Sequence, residues 1–214
     1  MLLIPLVNIF YEFLNNSSRG VYSLVTDLDN AIPFLKIFAI PYLLWYPFII
    51  ITLIYLCLNH RKIYYKAIAT LVIGMLLSYL TFFLFQTTVP RPQLSGDDIL
   101  TKIVQGIYER DKPYNCFPSI HVLNSYAIMI GIRKSKCKNQ IINVSVYLTG
   151  LLIILSTVFI KQHVILDLFL GLQLAEMIYR TVDNFSVEKW LGLIKKISSW
   201  WMSRKKQWVS QEKI

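Results

Sequence analysis

Charge is scarce in this chain. Only 16% of its 214 residues are charged, where a soluble domain carries about a quarter. Hydrophobic residues make up 55%, and the mean hydropathy is +0.50. That balance excludes an ordinary soluble domain and predicts a polytopic membrane protein built as one all-helical domain. Cysteine is scarce too. Cys57, Cys116 and Cys137 are too few and too scattered for a disulfide framework, and no CxxC pair or Cys/His cluster offers a zinc site. No carboxylate cluster offers a site to another metal. The first residues lack a basic stretch and a small-residue cleavage site, which argues against a signal peptide. Acidic residues number 12 against 22 basic, for a net charge of +10. Such an excess can serve nucleic acid, but its distribution points to membrane topology instead.

Long apolar runs are what the chain does have. A span needs about 20 apolar residues. Spans are expected over residues 38–58, 67–85, 118–132, 141–160 and 163–179. Pro41 and Pro47 are placed to kink the first, and Tyr42, Trp45 and Tyr46 suit an aromatic belt at the membrane surface. Residues 1–14 are apolar but short, and read as an interfacial or re-entrant helix in an N-terminal segment, 1–37. The loops at 59–66 and 133–140 carry Arg61, Lys62, Lys66, Arg133, Lys134, Lys136 and Lys138 and no acid. The tail, 181–214, is also basic, and Val187, Trp190, Leu191, Ile194, Ile197 and Trp201 share one helical face. It reads as an amphipathic anchor on the anionic inner leaflet, not as a nucleic-acid contact. By the positive-inside rule both loops and the tail are cytoplasmic. The segment 86–117, of mixed charge, and the turn 161–163 then lie outside. Within that outer segment Ser95 or Asp97 can cap a short interfacial helix with Ile99, Leu100, Ile103 and Ile107 on its apolar face.

The polar outliers gather at the outer ends of the spans. Cys116-Phe117-Pro118-Ser119-Ile120-His121 opens one, and Ser156 through Asp167 joins two others. His163 and Asp167 are four apart and share a helix face. An ionisable group in a membrane segment is costly, and so is a functional candidate. Phosphoryl transfer needs a nucleophile, an acid on the opposite side and fixed positive charge on the equatorial oxygens. Two histidines titrating near neutrality supply the first two, and Arg91 suits bidentate phosphate binding. Each residue also has a bland reading. Asp167 can be a structural carboxylate, His121 an interfacial cap, Arg91 a snorkelling anchor and Lys161 an ordinary outer-turn lysine. Ser119 can simply cap its helix, a role that leaves its hydroxyl open to another. Glu176 reads as structural pairing or an interfacial position, and Cys116 as inert burial.

Val89-Pro90-Arg91-Pro92, Pro118-Ser119-Ile120-His121 and Ser156…His163…Asp167 resemble the three signatures of the type 2 phosphatidic acid phosphatase superfamily. They stand in the family's order, at its spacing, over residues 38 to 180. The resemblance implies a phosphatidic acid phosphatase-like membrane helix bundle of about five to six spans, with a phosphate pocket at the bilayer surface and neither cofactor nor metal. It implies that His163 attacks phosphorus to give a phosphohistidine and that Asp167 orients that imidazole. His121 would protonate the leaving oxygen and then activate the acceptor. Arg91 and Ser119 would hold phosphate oxygens. Three positions depart from the pattern. Leu84 stands where the family has a lysine, Ile120 where it has a glycine and Thr157 where it has an arginine. Lys161, beside the nucleophile, is a candidate replacement cation. Fewer cations suit a phosphodiester, and the Ser-Thr-Val-Phe…Gln-His…Asp run is similar to the inositol-phosphorylceramide synthases.

The expected protein is therefore an integral membrane lipid phosphatase or lipid phosphotransferase. It would act on a phospholipid or a polyprenyl (di)phosphate at the extracytoplasmic face of the plasma membrane. Its partners would be the lipid substrate and the membrane. Hydrolysis and transfer share the first half-reaction, and the sequence leaves the acceptor open. Two alternatives stand beside it: a vanadate-dependent haloperoxidase of the same fold, and a non-catalytic protein that binds or moves lipids.

Overall fold

The computed structural model describes residues 11, 14–16 and 20–185. The expected amphipathic tail helix lies outside these residues, as does most of the expected helix over 1–14. A short β1 (Tyr22–Ser23) leads into α1 (Asp27–Ala31) and a 3-10 turn at Lys36–Phe38. Then come α2 (Ala39–Leu43), α3 (Trp45–Asn59) and α4 (Arg61–Leu84). After α4 the chain forms β2 (Thr87–Thr88), α5 (Ile99–Arg110), α6 (Ile120–Ser135), α7 (Gln140–Phe159) and α8 (Ile165–Asn184). Residues up to Tyr179 make one compact unit, and a second begins at Arg180.

The expected helices are present, with shifted ends. The first span is broken at Leu44, between Pro41 and Pro47, into α2 and α3. Pro47 falls in the first turn of α3, where its missing N–H leaves no helical bond unmade. Arg61, Lys62 and Lys66 belong to α4 and not to a loop, because α3 and α4 are joined through His60 alone. By length and composition, three stretches can cross a membrane: Lys36–Asn59, Arg61–Leu84 and Gln140–Phe159. α8 has the length of a span but carries Asp167, Glu176, Arg180 and Asp183. α6 is shorter and the most enclosed.

α6 is the centre of the bundle and packs against α3, α4 and α7. The apolar core runs through Leu53 and Leu56 of α3, Leu71, Met75 and Phe82 of α4, Leu123 and Ile128 of α6, and Ile153 of α7. One close approach sets the α6–α8 contact. A methyl group on Gly171 would stand 2.9 Å from the Ser119 carbonyl and 3.1 Å from Val122. Only glycine permits that approach. At the other end of this pair Glu176 meets Arg133 at 3.2 Å, the structural pairing its place in the sequence suggested.

α5 lies over one end of the bundle, with Val104 and Ile107 packed on Ala39, Tyr42 and Ile160. Asp98 caps it by accepting from Thr101 N–H at 3.0 Å, in place of the expected Ser95 or Asp97. The Thr101 hydroxyl and Lys36 hold the Asp98 carboxyl below the usual carboxylate range. The buried face of α5 also differs from expectation, since Ile99 is 77% exposed. A cap at Asp98 places Ile99 at the very start of the helix, where it points away from the bundle.

Candidate active site

The C-terminal end of α4, the N-terminal ends of α6 and α8, and the C-terminal end of α7 meet under α5. The turn from α7 to α8 is the densest part of this region. Thr157 is fully buried, and its carbonyl accepts from the N–H groups of Gln162 and His163 at 2.9 and 3.0 Å. Lys161 takes a left-handed backbone with φ of 55°, which reverses the chain. His163 follows, buried, one turn before Asp167. His163 Nδ1 and Asp167 Oδ2 stand 3.2 Å apart, a pairing in which a carboxylate accepts from Nδ1–H and so favours the tautomer with Nε2 as the acceptor nitrogen. The same oxygen accepts from Val164 N–H at 3.0 Å, so Asp167 caps its own helix while orienting the imidazole. Ser119 N–H donates to the Asp167 carbonyl at 3.2 Å, which ties α6 to α8.

His121 faces His163 with ring centroids 6.0 Å apart. Its imidazole stacks on Tyr42 at 4.5 Å and lies against Trp45 at 4.2 Å. Tyr42 and Trp45 thus flank the candidate site, and Tyr46, on the wall of the same cavity, is exposed. Both histidines line a cavity of about 470 Å³ between α2, α3 and α5. His163 also lines a second cavity, about 340 Å³, with Arg91, Lys161 and Asp29. The nucleophile candidate thus lines both cavities.

The other expected residues are placed as follows. Arg91 donates to the Tyr108 carbonyl at 2.9 Å and lies 4.2 Å over the Tyr108 ring. It also donates to the Asp111 carbonyl and the Gln162 side-chain oxygen. These acceptors are neutral, and the Arg91 Nε–H is buried without a partner among the described residues. Ser119 is fully buried and caps α6, accepting from Val122 N–H at 3.4 Å. Lys161 donates to the Asp29 and Ile32 carbonyls at 2.8 and 2.6 Å. Two of its three protons are thus spent on the N-terminal segment. Cys116 is buried beside Val89 and Val164, and burial, with Asp167 and Asp111 nearby, pushes its thiol up. A thiol so raised is a poor nucleophile. At the departures, Leu84 is 71% exposed, Ile120 is buried in the core and the Thr157 hydroxyl donates to Ile154 at 2.7 Å.

Asp29 is the residue that sequence reasoning missed. Its Oδ1 accepts from Ile165 N–H, the first residue of α8, at 2.7 Å. Its Oδ2 accepts from the Thr26 N–H and hydroxyl at 2.8 and 2.6 Å. Asp29 caps the helix of the nucleophile from outside, while Lys161 binds carbonyls in and after α1. Burial alone would raise the Asp29 carboxyl, but the Thr26 hydroxyl, these N–H groups and Lys161 together lower it. The segment is held further by β1, which pairs in parallel with β2 through Tyr22↔Thr87 and Ser23↔Thr88. Leu35 N–H also donates to Phe159 at 2.9 Å. A threonine three residues before Asp29 was the one local signal available, the signature of a capping box. Asp111 was missed as well. It lines the larger cavity and accepts from the hydroxyls of Tyr42, at 2.6 Å, and Tyr11.

A family model described as the PAP2 superfamily matches residues 22–181. The crystal structure of Aquifex aeolicus LpxE is similar at 17% identity and a TM-score of 0.49, over 85% of this chain and 94% of that one. Comparison with curated proteins finds no match.

Proposed function

Since the chain belongs to the PAP2 superfamily, we propose that it is a membrane lipid phosphatase working through a phosphohistidine on His163. The observation that carries this reading is the His163–Asp167 pair facing His121 across a cavity. In the first step Nε2 of His163 attacks phosphorus, a P–N bond forms and the P–O bond to the lipid breaks. His121 gives its proton to the departing lipid oxygen. Asp167 keeps the Nδ1 proton in place and balances the charge on the phosphorylated ring. Water then attacks phosphorus, His121 takes its proton, the P–N bond breaks and phosphate leaves. Arg91 supplies the fixed positive charge, exchanging its neutral acceptors for phosphate oxygens.

Transfer to a lipid alcohol in place of water is the second reading. It is favoured by the shortage of cations: Thr157 and Leu84 carry none, and Lys161 is largely occupied. A phosphodiester carries one negative charge and needs fewer of them. The basic stretches at the other end of the bundle support, by the positive-inside rule, a site that opens on the extracytoplasmic face, and the plasma membrane is the membrane in which we place this reading.

Purified protein in lipid micelles should be given phosphatidic acid, a polyprenyl diphosphate, and a labelled phospholipid with an alcohol acceptor. Release of phosphate supports the phosphatase, and a labelled lipid product without free phosphate supports the transferase. If a His163→Ala variant retained full turnover, the covalent mechanism would be refuted.

A further inference from the structure

Asp111 is out of place by the ordinary rules for helices. It is the C-terminal cap of α5, and its N–H donates to the Ile107 carbonyl at 2.9 Å. A negative charge at that end of a helix opposes the helix dipole. One carboxylate oxygen accepts from the Tyr42 hydroxyl at 2.6 Å, and the other accepts from the Tyr11 hydroxyl. These bonds do not account for the charge, because a neutral amide oxygen can accept from both hydroxyls. The cavity does account for it. Asp111 is the one carboxylate among the described residues that line the larger cavity. The other titratable or charged groups that share this cavity with His121 are Lys102 and Arg110 of α5, His163 ahead of α8, and the hydroxyls of Tyr11, Tyr42 and Tyr46. An imidazolium there is repelled by two fixed cations, and Asp111 is the anion on that wall that offsets them. Asp111 also reaches His121 through a shared neighbour. The Tyr42 ring, whose hydroxyl it holds, is the ring that stacks on the imidazole at 4.5 Å.

We propose that Asp111 is a positioning residue for the general acid: through the Tyr42 hydroxyl it fixes the ring on which His121 stacks, and its charge holds the proton on that imidazole until the lipid oxygen departs. The proposal rests on the phosphatase reading and adds to it a residue that lies in none of the three signatures. No proton passes to Asp111. The proton moves from His121 to the leaving oxygen as the P–O bond breaks. It returns from water as the P–N bond is hydrolysed, so the carboxylate stays charged throughout. Tyr11 holds the second carboxylate oxygen and keeps the group from turning away from Tyr42. The Asp111 carbonyl accepts from Arg91. One residue thus sets the acid and the phosphate-binding cation in register.

The full-length protein in micelles tests this with two monophosphates that differ in the leaving group, decyl phosphate and a decyl-substituted nitrophenyl phosphate. An alkoxide needs a proton in order to leave, whereas a nitrophenolate leaves without one. Asp111→Asn keeps an acceptor for Tyr42 and removes the charge. It should lower kcat/KM for decyl phosphate about thirtyfold, a part of the roughly hundredfold or more that a general acid supplies. The nitrophenyl substrate should change by less than about threefold, which also shows that the variant is folded. Tyr42→Phe keeps the stacked ring and removes the hydrogen bond, and should give a smaller loss with the same selectivity. A Tyr42→Phe variant without that selectivity would overturn the path through Tyr42. Equal losses of Asp111→Asn on both substrates, or no loss on decyl phosphate, would overturn the positioning role while leaving the phosphatase standing. Failure of wild type to release phosphate from either substrate would overturn both.

Discussion

His163 carries the largest expected effects. His163→Ala should lower turnover on the order of a thousandfold or more, as removal of a nucleophile does. Asp167→Asn keeps the size of the side chain but removes the charge that fixes the tautomer, and should cost up to about ten-thousandfold in kcat. Acid-labile, base-stable label on His163 after a brief pulse of labelled lipid phosphate checks the intermediate, and its absence from the wild type would count against it. These residues were legible in the sequence because charge is so rare in its apolar runs that His121, His163 and Asp167 stand out. Asp29 was not legible. It lies in an ordinary mixed segment, and its partner Ile165 is met only through the fold. Thr157 teaches the same limit. Its hydroxyl bonds back within α7 and its carbonyl holds the turn, a packing role that the departure from the family's arginine did not disclose.

Among the elements, the α6–α8 crossing and the N-terminal strap hold the site. Gly171→Ala places a methyl group against the Ser119 backbone, which cannot swing aside as a side chain can. It should destabilise by about 1–3 kcal/mol and separate His121 from His163, lowering Tm and kcat together. Asp29→Ala leaves the Ile165 N–H without its cap and should cost about 1 kcal/mol, with a larger relative loss in kcat than in KM. The acid limb gives a second measurement. The Asp29 carboxyl is lowered in the folded state, so its contribution is complete above the ordinary carboxylate value. It is lost as pH falls through the lowered one. Tm of the wild type should therefore drop in acid, and Asp29→Asn should flatten that drop. Periodicity located the long helices and even the short α5, because each is long enough to repeat its pattern. The break at Leu44 was marked by Pro41 and Pro47 and not by periodicity, which missed the direct α3–α4 junction at His60.

At the scale of the whole molecule the open matter is orientation. In a variant with the native cysteines replaced, Lys112→Cys should react with an impermeant maleimide added outside intact cells. Lys136→Cys should react only after permeabilisation, and the reverse pattern would invert the topology. Charge asymmetry could be read from the sequence because lysines and arginines cluster in a few short stretches. The assembly of the site could not, because its parts come from opposite ends of the chain. Asp29 and Ile165 are 136 residues apart, and Lys161 lies 132 from Asp29. During synthesis the strap leaves the ribosome first and waits for partners that are made last. At about 5–20 residues per second, that interval is roughly 7–27 s. Through it, a buried-to-be carboxylate and two carbonyls stay in water or on the translocon. A nascent chain stopped after α7 therefore carries His121 but neither His163 nor Asp167, and activity should appear only once α8 has been released.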